Sequence, residues 1–282
     1  MKCQELVLGK QKKEKTTILI EQNQGLLHVR FSGNPALTEP PWYADGWESI
    51  FVGKDSDLFH NVMDMIDIYR VEPYISLFYA GSDSYHVRYL HLPIVGTALE
   101  FSLLSDLAND YRRSVSPILE IRKTLATNLE HAITCISDHV KEQIPEINEK
   151  TRTRLAQIVA HQTSVFGRIF PLLLDEMTEE VYMDGPNSQI YFDHQKMGRC
   201  VTSSTFDGAE VPRIVTFLRA ESNLHLDRSN PSLKMELELF GLVLRVSASV
   251  PPLSSDGLSL EIRRARKQPF TIRNLIENNT IT

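Results

Sequence analysis

The apolar residues of this chain change their spacing twice along its length, and that switch constrains the fold more than any single motif does. From about residue 97 to residue 167 they recur every three or four positions. Ile118, Ile121, Leu125, Leu129, Ala132, Ile136 and Val140 make one stripe that ends at Pro145, the pattern of a helix that lays one face on a core. A second helical stretch, 151–166, carries Leu155, Ile158, Val159 and Val165, with Gly167 in position to cap it. On both sides of this region the period is two.

On the N-terminal side, residues 17–20 and 26–31 flank a polar Gln-Asn-Gln-Gly sequence and predict a hairpin. Residues 74–80 and 85–92 flank Gly81-Ser82-Asp83-Ser84 and predict another. Between them Leu58, Val62, Met65, Ile66 and Tyr69 recur near helical spacing, which predicts a short helix over 57–69. On the C-terminal side Val181 and Met183 lead through Gly185-Pro186-Asn187-Ser188 to Ile190 and Phe192, a third hairpin. Asp207 and Glu210 form a capping box ahead of Ile214, Val215 and Leu218. Strand alternation returns over 235–240, 242–250 and 258–264.

The fold expected is α/β of the α+β kind. It has an N-terminal α/β part (1–96), a central helical region (97–166), and a C-terminal antiparallel sheet with a helix (167–282). A length of 282 residues, 42% hydrophobic and 23% charged, suits a packed globular chain. No apolar run is long enough to cross a bilayer and the first residues have no signal-peptide core, so the compartment expected is the cytoplasm. Cys3, Cys135 and Cys200 lie too far apart for a CxxC pair and read as free thiols. A net charge of −6 argues against a dedicated nucleic-acid binder.

Several candidate chemistries fail on spacing. Gly9-Lys10 and Gly53-Lys54 lack the upstream glycine and the hydroxyl residue of a phosphate-binding loop, since Gln11 and Asp55 follow them. His131, Cys135 and His139 stand at four-residue steps on one helix, and the outer two are separated by about 12 Å of rise, too far for one zinc ion. The carboxylate pairs Asp175-Glu176 and Glu179-Glu180 read as solvated ends of elements. The basic residues Arg263, Arg264, Arg266, Lys267 and Arg273 are more informative. Alternation puts Leu258, Leu260 and Ile262 on one strand face and Arg263 on the other, and puts Arg245 opposite Leu244 and Val246. Guanidinium forks on a polar strand face suit phosphate oxygens, although exposed charge is their commoner role.

Six segments, in order, resemble one family. They are the stretch 167–186 with its Gly-x-Ile-x-Pro-Leu-Leu and Met-Asp-Gly-Pro, the strand Ile190-Tyr-Phe-Asp-His194, the turn Ser229-Asn-Pro231, the strand Leu244-Arg-Val246, the strand Gly257-Leu-Ser-Leu-Glu-Ile-Arg263, and the linker-like 269–282. Together they are similar to the N-terminal region of the GspE/PilT/FlaI-type ATPases of type II secretion, type IV pili and archaeal filaments. The hairpin 74–92 is similar to an N-terminal strand pair of the archaeal members. Two positions depart from the pattern: Glu238-Leu-Phe-Gly241 replaces Leu-Pro-Asp-Gly, and Asn279 replaces the linker glycine.

The resemblance implies a nucleotide-proximal and regulatory part of a hexameric ATPase, in which Arg245, Arg263 and Arg264 approach nucleotide held by a P-loop motor domain. No catalytic residue and no metal ligand is assigned in this chain. ATP and Mg would bind with the motor domain, which is expected in cis or in trans because no phosphate-binding loop occurs up to Thr282. A membrane platform protein is the other partner implied, with the chain peripheral at the inner face of the cell membrane, and no nucleic acid is expected. The alternative is a stand-alone interaction protein that regulates or competes with a complete ATPase. No ATPase activity is expected from the chain alone.

Overall fold

The computed structural model describes residues 2–8, 16–23, 26–32, 48–51, 65–81, 86–114, 124–265, 272–277 and 280. Two sheets are present among them. The smaller takes its four strands in order, β1 (Lys2–Leu8), β2 (Thr16–Asn23), β3 (Leu26–Ser32) and β4 (Glu48–Phe51). The hairpin expected at its centre is β2 and β3, antiparallel with Ile20 opposite Val29.

The larger sheet has nine strands. Its order is β11 (Ser232–Leu239), β12 (Leu242–Ser249), β13 (Ser259–Arg264), β8 (Thr178–Met183), β9 (Tyr191–His194), β10 (Gly198–Thr202), β7 (Val87–Pro93), β6 (Tyr74–Ala80) and β5 (Met65–Val71). All its neighbours are antiparallel except β7 and β10, which run parallel with Val87 opposite Cys200. The fold is therefore mixed α/β with an antiparallel-dominated sheet, as the sequence predicts. One apolar row, Val246, Ile262, Val181, Phe192, Cys200 and Val87, crosses six strands in register. Strand alternation aims all six at the same layer.

The helices are α1 (Ala98–Ser114), α2 (Leu125–Gln143), α3 (Glu149–Thr163), α4 (Phe170–Leu174), α5 (Glu210–Ser222) and α6 (Ile272–Glu277). The stripe of α2 is buried at Leu125, Leu129, Ala132, Ile136 and Val140, and Thr124 accepts the Thr127 amide at its start. Ile118 and Ile121, which the sequence places on the same stripe, lie outside the described residues. Asn148 caps α3 in the same way through the Thr151 amide, and an Arg154–Glu100 ion pair at 3.0 Å ties α3 to α1. The capping box of α5 is complete: Asp207 accepts the amides of Ala209 and Glu210, and the Glu210 carboxylate accepts the Asp207 amide.

Two local expectations are corrected. Residues 65–71 are strand β5 and not the end of a helix, while 57–64 lie outside the described residues. The three-residue step from buried Met65 to buried Ile68 arises because a bulge between Met65 and Asp67 shifts the register. Gly167 does not cap α3 in a left-handed turn, because Ser164 ends that helix in extended conformation. Glycine is required at 167 for space, since a Cβ there would stand 2.5 Å from the Gln162 carbonyl oxygen.

The stretches before 96/97 and after 166/167 share the nine-stranded sheet, and the helices between them pack into the same buried core. Phe192 of β9 packs on Phe78 of β6 and Tyr89 of β7, with ring centroids 6.4 and 5.1 Å apart. Residues 167–282 expressed alone would expose the β10 edge and these rings. The expected outcome is a fragment that melts at lower temperature than the full chain in circular dichroism, or aggregates. A fragment that melts as cooperatively as the parent would make 167 a true domain boundary.

Candidate functional site

The polar face of the large sheet carries a row of charge. Glu236, Arg245, Arg263, Glu180, Asp193 and Arg199 stand directly opposite one another across β11, β12, β13, β8, β9 and β10. Arg245 and Arg263 face each other, a like-charge pair that costs a few tenths of a kcal/mol up to about 1 kcal/mol unless it is compensated. Arg245 meets Glu236 at 3.3 Å, an exposed pair that contributes little. Arg263 is exposed and makes no hydrogen bond or ion pair among the described residues, although it stands beside Glu180 and Glu261.

Asp193 is occupied. Arg199 grips it with two bonds of 2.9 and 3.1 Å while lying over the stacked rings of Tyr182 and Tyr191, and the Tyr182 hydroxyl donates to it at 3.0 Å. These donors hold its carboxyl below the usual range.

Arg245, Arg263 and Arg264 line one depression of about 710 Å³, together with Glu176, Glu179, Glu180 and Asp193. The sequence therefore picked out residues that the fold brings together. The register of β11 and β12, and with it the place of Arg245 opposite Glu236, depends on a tight turn at Phe240-Gly241, where both residues have positive φ, 50° and 76°. That is a two-residue hairpin of the kind that matches strand twist. It forms with Glu-Leu-Phe-Gly in place of the family's Leu-Pro-Asp-Gly.

Arg264 differs from the other two. It lies on the inward face with Leu260 and Ile262, and its guanidinium donates to the carbonyls of Leu173 (2.6 Å), Asp175 (2.8 Å) and Thr178 (3.2 Å). These include carbonyls at the C-terminal end of α4, where the helix itself supplies no donor; the Asp175 carbonyl also accepts the Thr178 amide at 3.1 Å. Burial lowers its pKa from the ordinary arginine value, with Asp175 and Glu176 opposing that shift.

Beneath this arginine is a buried network that spacing did not reveal. Asp175, expected to face water, is 2% exposed. One carboxylate oxygen accepts the Met177 amide at 2.9 Å and the other accepts the Tyr69 hydroxyl. Tyr69 also meets Nε2 of His194 at 2.9 Å. The amides of Lys196 and Met197 point at Nδ1 of His194, 3.2 and 3.1 Å away, which places the ring proton on Nε2 and makes it a donor to Tyr69. The proton order is then determined from His194 to Tyr69 to Asp175. Burial raises the Asp175 carboxyl, against the pull of Tyr69, Met177 and Arg264, and it pushes the His194 imidazole down to about 4. The network joins β5, β9 and the end of α4, and no member opens onto the arginine depression except through Arg264.

No family model matches the chain. The uncharacterized protein MJ0781 of Methanocaldococcus jannaschii is 32% identical over 120 residues, which are 42% of this chain and 16% of that protein. The chain thus spans under a fifth of the length of the curated relative it matches. Among solved structures, the VirB11 ATPase of the Brucella suis type IV secretion system, crystallised with sulphate, is similar with a TM-score of 0.33 and 17% identity. The match covers 44% of this chain and 37% of that one. It is a distant likeness.

Two outcomes follow from the network. Tyr69→Phe removes the hydroxyl that serves both His194 and Asp175 and leaves a buried donor and acceptor without partners, at a cost of about 1–3 kcal/mol. The denaturant midpoint is expected to fall with the slope unchanged, and an unchanged midpoint would show that water replaces the hydroxyl. The second concerns acid. His194 and His91, each pushed down to about 4, and His161, pushed down to about 3, bind fewer protons folded than unfolded. Their contribution is intact above an unfolded value near 6.5 and is lost as pH falls toward 4. Asp175 and Asp67, both raised by burial, oppose this as they take up protons above the ordinary carboxylate range. Melting temperature is expected to decline from pH 6.5 to pH 4, and a flat profile would contradict buried neutral imidazoles.

Proposed function

We propose that this chain is the nucleotide-proximal, regulatory part of a secretion or filament-assembly ATPase, and that the Arg245–Arg263 depression closes over the phosphates of nucleotide bound by a P-loop motor domain. The observation that carries the reading is the direct pairing of Arg245 with Arg263 in the lining of one concavity, on two strands whose motifs resemble the family's. Two facing guanidiniums offer bidentate, permanently charged donors, and a phosphate between them relieves their mutual repulsion. The motor domain is supplied in cis by a longer chain or in trans. Motion at the closing boundary would pass through the sheet to a membrane platform protein, in a cytoplasmic hexamer docked at the membrane's inner face.

A regulator that competes with a complete ATPase is the second reading. The four carboxylates lining the same depression favour it, because a mixed-charge surface suits a protein partner.

The test joins the chain through 269–282 to a motor domain of the secretion-ATPase type and measures ATP affinity and turnover. Hydrogen bonds to charged groups are worth about 1.5–3 kcal/mol, so Arg245→Ala and Arg263→Ala are each expected to weaken ATP binding roughly tenfold or more. Folding should barely change, since both side chains leave the polar face of the sheet. Arg264→Ala is expected to lower the melting temperature instead, by removing the donors to the α4 carbonyls. The unfused chain should release no phosphate from ATP above a no-protein control. Unchanged affinity in both Arg245→Ala and Arg263→Ala would return these residues to ordinary surface charge.

A further inference from the structure

We propose that a second cleft, built by the helical side of the molecule, binds a phosphate-bearing small molecule. It shares no lining residue with the Arg245–Arg263 depression. Arg112 from the last turn of α1, Arg168 from the turn after α3 and Arg213 from the first turn of α5 converge on it, joined by Gln162 and Ser204. Three guanidiniums from three separate elements in one concavity are not the product of one charged helix face.

The charge balance decides what such a cleft can take. Glu210 is the one acid among the lining residues, and both its oxygens are committed. One accepts Arg168 Nε at 3.0 Å and the other accepts the Asp207 amide at 3.0 Å in the capping box. Arg112 and Arg213 make no hydrogen bond or ion pair among the described residues, and neither do the side chains of Gln162 and Ser204. His91 also lines the cleft, but burial pushes its imidazole down to about 4, so near neutral pH it adds a polar ring and no charge. Among the described residues the cleft therefore presents two uncompensated guanidiniums beside an amide and a hydroxyl. Paired guanidiniums with neutral donors between them recognise phosphate by charge and by fork geometry.

Size narrows the class. The cleft measures about 420 Å³, inside the usual range of roughly 300–1,000 Å³ for small-molecule sites and equal to about fourteen water volumes. A bare ion would leave most of it to water, whereas a mononucleotide or a sugar phosphate has the right bulk. Gly167 in its lining has no room for a Cβ against the Gln162 carbonyl, so the backbone segments carrying Gln162 and Arg168 approach closely there.

The full chain is titrated by calorimetry with inorganic pyrophosphate and with AMP, at constant ionic strength, with citrate as an anion lacking phosphorus. Saturable one-site binding of either phosphate compound is expected. Its affinity should fall at least tenfold in Arg112→Gln and in Arg213→Gln, two exposed substitutions whose folding is checked by melting temperature, and should be unaffected in Arg245→Ala and Arg263→Ala. Absence of saturable binding by both phosphate compounds overturns the proposal, and so does equal binding of citrate. Binding lost in Arg245→Ala or Arg263→Ala and retained in Arg112→Gln and Arg213→Gln also overturns it, by assigning the anion to the other depression. None of these outcomes depends on a motor domain.

Discussion

A carboxylate that is almost out of reach of water has to be surrounded by donors, and Asp175 organises much of this structure in that way. Its two oxygens take Tyr69 and the Met177 amide, its carbonyl takes Arg264, and its own amide donates to Pro171, closing α4. Each partner comes from a different place: β5, the turn into β8, β13 and the helix itself. Removing any one leaves a buried polar group unpaired, which costs more than the bond contributes. The end of α4, the start of β8 and the inner edge of the sheet are therefore positioned together, and Arg263, next in the chain to Arg264, has its outward direction set by its neighbour's inward anchoring.

What the sequence displayed was periodicity, and periodicity reports faces. The stripe of α2, the C-terminal hairpins and the capping box of α5 were legible because each is local and repeats a spacing. Arg245 and Arg263 were legible for the same reason, as polar positions within apolar alternation. Residues 65–71 misled because Met65, Ile66 and Tyr69 repeat a helical spacing inside a strand, and nothing in those residue types announces the bulge between Met65 and Asp67. Asp175 was missed because its partners lie 106 and 89 positions away, at Tyr69 and Arg264. The joining of the first and last thirds of the chain through β7 and β10 was missed as well, since a parallel pairing over three residue pairs leaves no spacing to read.

Arginine shows how far one residue type can be separated by environment. Arg264 is drawn inward because carbonyls at a helix end need donors, and it has little freedom to serve a ligand. Arg199 lies on two tyrosine rings and is saturated by Asp193. Arg168 is shared with Glu210. Arg263, Arg112 and Arg213 line these two concavities with no hydrogen bond or ion pair of their own among the described residues. A count of basic residues would treat all six alike, whereas hydrogen-bond accounting sorts them into three that are committed and three that are free to recognise an anion.

The two concavities differ in what surrounds those free cations, and the difference bears on selectivity. In the cleft of Arg112 and Arg213 the single acid is neutralised by contacts within the protein, so the field there is plainly positive and suits an anion by itself. In the depression of Arg245 and Arg263 the lining carries four carboxylates, of which Asp193 is held by Arg199 and Tyr182. Glu180 instead lies against Glu261, whose carboxyl is raised by that contact. A bare polyanion entering there would gain from Arg263 and lose to the adjacent Glu180 and Glu261. A ligand that brings both signs, such as a phosphate chain carrying a divalent cation or a protein edge with paired charges, avoids that loss. The depression is thus built to prefer a charge-balanced partner, and its arginines are selective because the acids beside them repel unaccompanied anions.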